Sequence, residues 1–218
     1  MAASEAAPRV FVLSPAHGAG KRAELLLSER ARFPLARRLR AGERVGLGEA
    51  FSFLSGLYFR GKLAYAREFA RPPAGEPGVQ VITPNLGLLL PEAAVGAEEL
   101  RGFGEVDIRP DDPRYRVPLE RDLARLAALG NIEIVLLGSV ATGKYVDVLL
   151  DVVGERLLFP TDFVGRGDMS RGALLLRAAR EQTELPYEPA ATAARRGPRP
   201  RKAGPSAEPK AGPDTGDR

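Results

Sequence analysis

The sequence contains no cysteine, no tryptophan and only one histidine. Without cysteine there is no disulfide, no thiolate nucleophile and no thiolate metal site, and a single histidine leaves zinc without its usual ligands. No metal is therefore expected, and composition names no cofactor. Long apolar runs are absent as well: no stretch approaches the roughly 18 consecutive apolar residues of a membrane span. Met1–Pro8 lacks the basic region followed by an apolar core that marks a secretory leader. The expectation is a cytoplasmic protein with no membrane association.

What is present suffices for one core. The chain has 218 residues, 44% of them hydrophobic, which suits one domain with a tail. The net charge of +4 is unevenly placed. From Ala191 onward seven basic residues face three acidic ones, so this end carries the whole excess and residues 1–190 are formally neutral. Rich in Pro, Gly and Ala, the same end has too little apolar surface to offset the entropy of ordering. The expected organisation is a flexible N-terminus over 1–8, a single domain over 9–188 and a disordered basic tail over 189–218. The cluster Arg195–Lys202 could contact nucleic acid through counterion release, or serve only solubility.

Apolar runs alternate with helix-forming stretches. Arg9–Leu13, Val79–Thr83, Ile132–Leu137 and Arg156–Phe159 read as strands. Lys21–Leu27, Phe33–Arg40, Leu47–Ala70, Leu119–Leu129, Tyr145–Val153 and Met169–Arg180 read as helices, with Gly130 ending the fourth. Residues 103–118, with three prolines, read as an extended surface loop holding a short strand at Glu105–Ile108. The alternation predicts an α/β fold, a three-layer sandwich with a mainly parallel central sheet. In such sheets ligands bind outside the carboxyl ends of the strands. The loops 14–22, 83–87, 138–144 and 161–171 all fall there.

Three of these loops carry chemistry. Gly138–Lys144 matches the phosphate-binding P-loop pattern until Tyr145 stands where a Ser or Thr would hold Mg²⁺, and too few strands follow it for an NTPase. Lys144 remains a candidate anion contact. The first loop offers Ser14, with Lys21 and Arg22 at a helix start where anions bind well, and His17 as a candidate general base. In 165–172, Arg166, Ser170 and Arg171 are candidates to hold a phosphate or carboxylate, with Asp168 orienting an arginine or acting as a base. Each has a plainer reading: turn glycines, a solvated face, or Asp168 capping the next helix. The stretch Phe51–Phe69, with Arg60, Lys62 and Arg67, could stack bases, although its helical spacing better fits a core face with the cations outside.

The strings FSFLSGLYFRGKLAYA, VITPNLGLLLPE, DPRYRVPLERD and VLLGSVATGKYVDVLL followed by RLLFPTDFVGRGDMSRGALLLR resemble an uncharacterised bacterial protein family over residues 9–188. That resemblance implies no activity. More distantly, a strand ending in Leu-Leu-Gly, a helix, then a strand ending in Phe-Pro before a polar loop is similar to the C-terminal half of the uracil-DNA-glycosylase-like superfamily. There a His-Pro-Ser motif holds DNA phosphate and the base; here Phe159-Pro160-Thr161-Asp162 stands in its place, without the histidine. The 14–20 loop also lacks the Asp or Asn that positions water in those enzymes. The likeness implies the fold more than the reaction. The functional expectation is a phosphate-bearing ligand, nucleotide or nucleic acid, at the strand-end loops, with glycosylase-like or nucleotide-modifying chemistry. The alternatives are a non-catalytic DNA- or RNA-binding module and an enzyme acting on a small anionic metabolite.

Overall fold

Val10–Leu13 and Ile134–Leu137 are buried at every position, as strands covered on both faces must be. The computed structural model of the protein describes residues 7–141 and 143–193. It opens with β1 (Arg9–Leu13), α1 (Lys21–Leu27), α2 (Pro34–Arg40), β2 (Val45–Gly46), α3 (Leu47–Ser55) and α4 (Leu57–Phe69). The middle holds β3 (Val79–Ile82), β4 (Leu88–Leu89), β5 (Ala94–Val95), α5 (Ala97–Glu105) and α6 (Pro113–Ala128). The chain continues through β6 (Glu133–Leu137), α7 (Gly143–Val153), β7 (Leu157–Pro160), α8 (Asp168–Arg180) and β8 (Tyr187–Pro189).

Six strands form one sheet in the order β4-β3-β1-β6-β7-β8, and β2 pairs with β5 apart from it. The four inner strands are parallel, with Phe11 opposite both Val79 and Val135, and Val135 opposite Leu158. Both edge strands run antiparallel to their neighbours. Helices α4 and α8 pack together, α4 also against β1 and β3, while α6 and α7 form a second pair against β4 and β7. The expected three-layer α/β sandwich with a mainly parallel sheet is the observed architecture.

Close approach of α4 and α8 rests on two glycines. A Cβ at Gly61 would lie 2.6 Å from the Gly172 carbonyl oxygen, and one at Gly172 would lie 2.8 Å from the Tyr58 Cα. The backbones can touch only because both side chains are missing. The expected single helix over 47–70 is instead two, divided at Gly56, whose φ of 59° lies in the left-handed region.

Two further expectations are corrected. Residues 103–118 are not an extended loop with a strand at 105–108: α5 runs to Glu105 and α6 begins at Pro113. Asp112 caps α6 by accepting from the Arg114 N–H at 2.9 Å, and Pro113 at the first helical position has no N–H to lose. Nor does the domain end at 188. Pro189 belongs to β8, the Ala190 N–H donates to the Leu157 carbonyl at 2.8 Å, and Ala190 and Ala193 are buried. The remainder of the expected tail, 194–218, and residues 1–6 of the expected flexible N-terminus lie outside the described residues.

Alanine in place of glycine ordinarily strengthens a helix interior by about 1 kcal/mol. At Gly61 the packing against α8 reverses the sign: Gly61→Ala is expected to lose about 1–3 kcal/mol, read as a lower urea midpoint with an unchanged slope.

Candidate functional site

From β1 the chain reaches β3 on one side and β6 on the other, so the strand order reverses at β1. A crevice outside the carboxyl ends of β1 and β6 is where such sheets bind ligands. A cavity of about 300 Å³ occupies that place. Residues 14–19 after β1 and Ser139 after β6 form its floor. Tyr58 of α4 lines it, as do Lys144 and Tyr145 in the first turn of α7 and Asp168, the first residue of α8. The end of α5 and the following loop, Phe103 to Ile108 without Glu105, supply apolar contact and the Asp107 carboxylate. Gly18 holds this flap close, because a Cβ there would meet the Phe103 carbonyl oxygen at 2.8 Å.

Of the residues singled out in the sequence, Ser14, His17, Lys144 and Asp168 share the cavity. Ser14 is buried, His17 exposed with its ring against Gly20, and Lys144 has its backbone carbonyl held by the Tyr115 hydroxyl at 3.0 Å. The remaining cations are directed elsewhere. Lys21 and Arg22 are exposed on the seven-residue α1, where Arg22 donates to the Phe53 carbonyl. Arg166 folds over its own turn, donating to the Asp162 carbonyl at 2.7 Å and to the Ser170 hydroxyl at 3.3 Å. Arg171 is buried; its Nε and one terminal nitrogen donate to the Phe163 carbonyl, and its guanidinium lies 5.3 Å from the Phe163 ring centroid. Asp168 does not cap α8. The cap position belongs to Gly167, and the Asp168 carboxylate is 3.8 Å from Arg171. Thr161 and Asp162 are not among the residues lining the cavity.

The most unusual group entered the sequence reading only as one of three cations in the 51–69 stretch. Lys62 of α4 is 1% exposed, and no carboxylate among the described residues forms an ion pair with it. Its Nζ donates to the Ser14 carbonyl at 2.5 Å and lies 2.9 Å from Ser14 Oγ, with the Tyr58 and Phe59 ring centroids 4.6 and 4.9 Å away. Burial lowers its pKa to about 7, against an opposing pull from the Asp168 carboxylate. Tyr58 shows a second anomaly. Among the described residues no group stands in hydrogen-bonding geometry to its buried hydroxyl, and desolvation pushes its pKa well up against the opposing pull of the nearby Arg171 guanidinium. Tyr145 is pushed up to about 12 by burial and then by Asp168.

A signal for Lys62 existed in the sequence. Tyr58, Lys62, Tyr65 and Ala66 fall on one helical stripe, all of them buried, so the lysine stands where the apolar face requires a hydrophobe. The expectation that cations of this stretch point outward holds for Arg60 and Arg67 and fails for Lys62. Asp107 and Ser139 carried no comparable signal. Comparison with protein-family models, curated proteins and solved structures gives no match for this chain.

Lys62 ties stability to pH. Its folded pKa is depressed, so between about pH 7 and the ordinary lysine value near 10 the unfolded chain binds a proton that the folded chain does not. Stability therefore rises with pH across that window, by at most about 1.4 kcal/mol per unit. Urea titrations at the two ends of the window are expected to show this gain in the wild type and its absence in Lys62→Met.

Proposed function

We propose that the crevice between β1 and β6 binds a phosphate-bearing ligand of mononucleotide size, with Asp168 and His17 in reach for proton transfer. The observation that carries this reading is the convergence of Lys144, Ser139, Asp168 and the unpartnered Tyr58 hydroxyl on one cavity at the strand-order switch. Lys144 lies in the first turn of the eleven-residue α7, where the helix dipole favours an anion. Phosphate against Lys144 would leave the nucleoside portion between the α5 flap and Tyr145. There Asp107 and Asp168 can accept hydrogen bonds from sugar hydroxyls or a base amino group.

A cavity of about 300 Å³ is at the small end for ligand sites. It suits one nucleotide, free or turned out of a strand, better than a duplex surface. The glycosylase-like version keeps proton transfer at the glycosidic bond as the chemistry and assigns it to Asp168 and His17, since no histidine follows Pro160. A non-catalytic nucleic-acid module would draw instead on the outward cations Lys21, Arg22 and Arg166.

Calorimetric titration with purine and pyrimidine mononucleotides, their nucleosides and short single strands separates these readings. Saturable binding of a nucleotide, weakened about ten- to a hundred-fold in Lys144→Ala, is the expected result. Binding only of the strands, indifferent to Lys144→Ala, would transfer the affinity to the outer cations and defeat the proposal.

A further inference from the structure

The crevice contains a nucleophile and a base that ligand binding does not require. Ser14 lines the cavity, and its Oγ is 2.9 Å from Lys62 Nζ. Behind it the amine is sealed from solvent. Gly138 keeps the space beside the hydroxyl open, since a Cβ there would stand 3.2 Å from Ser14 Oγ. The geometry points to a Ser14–Lys62 nucleophile and base pair, in which Ser14 Oγ attacks the acyl carbon of a carboxylic ester bound in the cavity while Lys62 Nζ takes the proton.

A neutral amine matches its two oxygen neighbours. Nζ donates to the Ser14 carbonyl at 2.5 Å and to Ser14 Oγ at 2.9 Å; once neutral, the amine keeps the first bond and has a lone pair to accept from the hydroxyl in place of the second. The depressed pKa leaves that lone pair free near neutrality. Among the described residues, Asp168 at the start of α8 acts on the amine and Tyr58 of its own helix lays its ring against it, while Arg171 of α8 acts on that tyrosine. At the opposite end of β1, Arg9 is paired with Glu133 and Glu184; Glu49 of α3 is paired with Arg38. When the proton arrives, the Tyr58 and Phe59 ring faces stabilise the ammonium.

The step balances without a co-reactant beyond water. The Oγ–C bond forms as the carbonyl π pair moves to its oxygen. On collapse the C–O bond to the leaving group breaks, and the leaving oxygen takes the proton held by Lys62. Water then attacks the acyl-serine and passes a proton to Lys62, which returns it to Ser14 Oγ as the acid departs. An uncharged acyl centre fits this spot better than a phosphoryl group. Arg166 and Arg171 are turned away, while Asp107 and Asp168 repel additional anionic charge.

The test uses p-nitrophenyl acetate on the full chain, with peptide mapping after an acid quench. Acetyl on Ser14 is expected, forming about tenfold faster at pH 8 than at pH 6 and levelling above. Ser14→Ala removes it. Lys62→Met and Lys62→Arg, each checked for native circular dichroism, slow it at least a hundred-fold; rescue by arginine would show that a fixed cation suffices and overturn the assignment. Acetyl only on surface amines, or a rate at Ser14 that does not depend on pH across this range, overturns it in the wild type alone, whatever the variants do. Nucleotide binding and this acylation need different groups, so either result stands if the other fails.

Discussion

A buried amine that no carboxylate among the described residues pairs with is the constraint around which the carboxyl-end loops of the sheet are arranged. Lys62 reaches the end of β1, where the Ser14 N–H is still bonded to the Leu137 carbonyl of β6 while the Ser14 carbonyl is met by the lysine. The side chain thereby ends a strand that would otherwise leave an acceptor unsatisfied inside the protein. To seat it there, α4 must lie deep in the layer, and the Gly61–Gly172 contact with α8 is what permits that depth. Burying a charge at such a place without a partner carboxylate is costly, and an amine can avoid the cost by giving up its proton.

The remaining electrostatics of the crevice are mixed rather than basic. Lys144 is opposed by Asp107 and Asp168, and the arginines nearest in sequence serve the fold. Arg171 ties α8 to the turn after β7 through the Phe163 carbonyl, and Arg166 ties that turn to itself. On the proposed reading, the ligand places one anionic group at the rim and an uncharged portion inside. The unpartnered Tyr58 hydroxyl gives the interior one further polar contact to offer.

Much of this was legible in the sequence because buried parallel strands announce themselves as unbroken apolar runs: β1, β3, β6 and β7 were all recognisable so. Convergence of their following loops followed from topology. The short strands β4, β5 and β8 and the helix α5 were not legible, since two or three residues carry no period and Pro113 and Pro118 mask the start of α6. Which cations enter the site was not legible either. Side-chain direction at Arg166 and Arg171 depends on carbonyls brought near by tertiary packing, and the loop sequence contains no trace of them. Lys62 lay in plain view at the centre of an apolar helical stripe, but such a position is informative only once the stripe is known to be buried.

The charge state of Lys62 decides the account most directly. A titration of the Lys62 side-chain carbon next to the amine by carbon-13 NMR, assigned with Lys62→Met, follows that charge without reference to any ligand. The account predicts a midpoint close to 7 in the folded protein. A midpoint near 10, the ordinary value for a solvated lysine, would mean that the amine stays charged throughout, and would remove the base from the crevice.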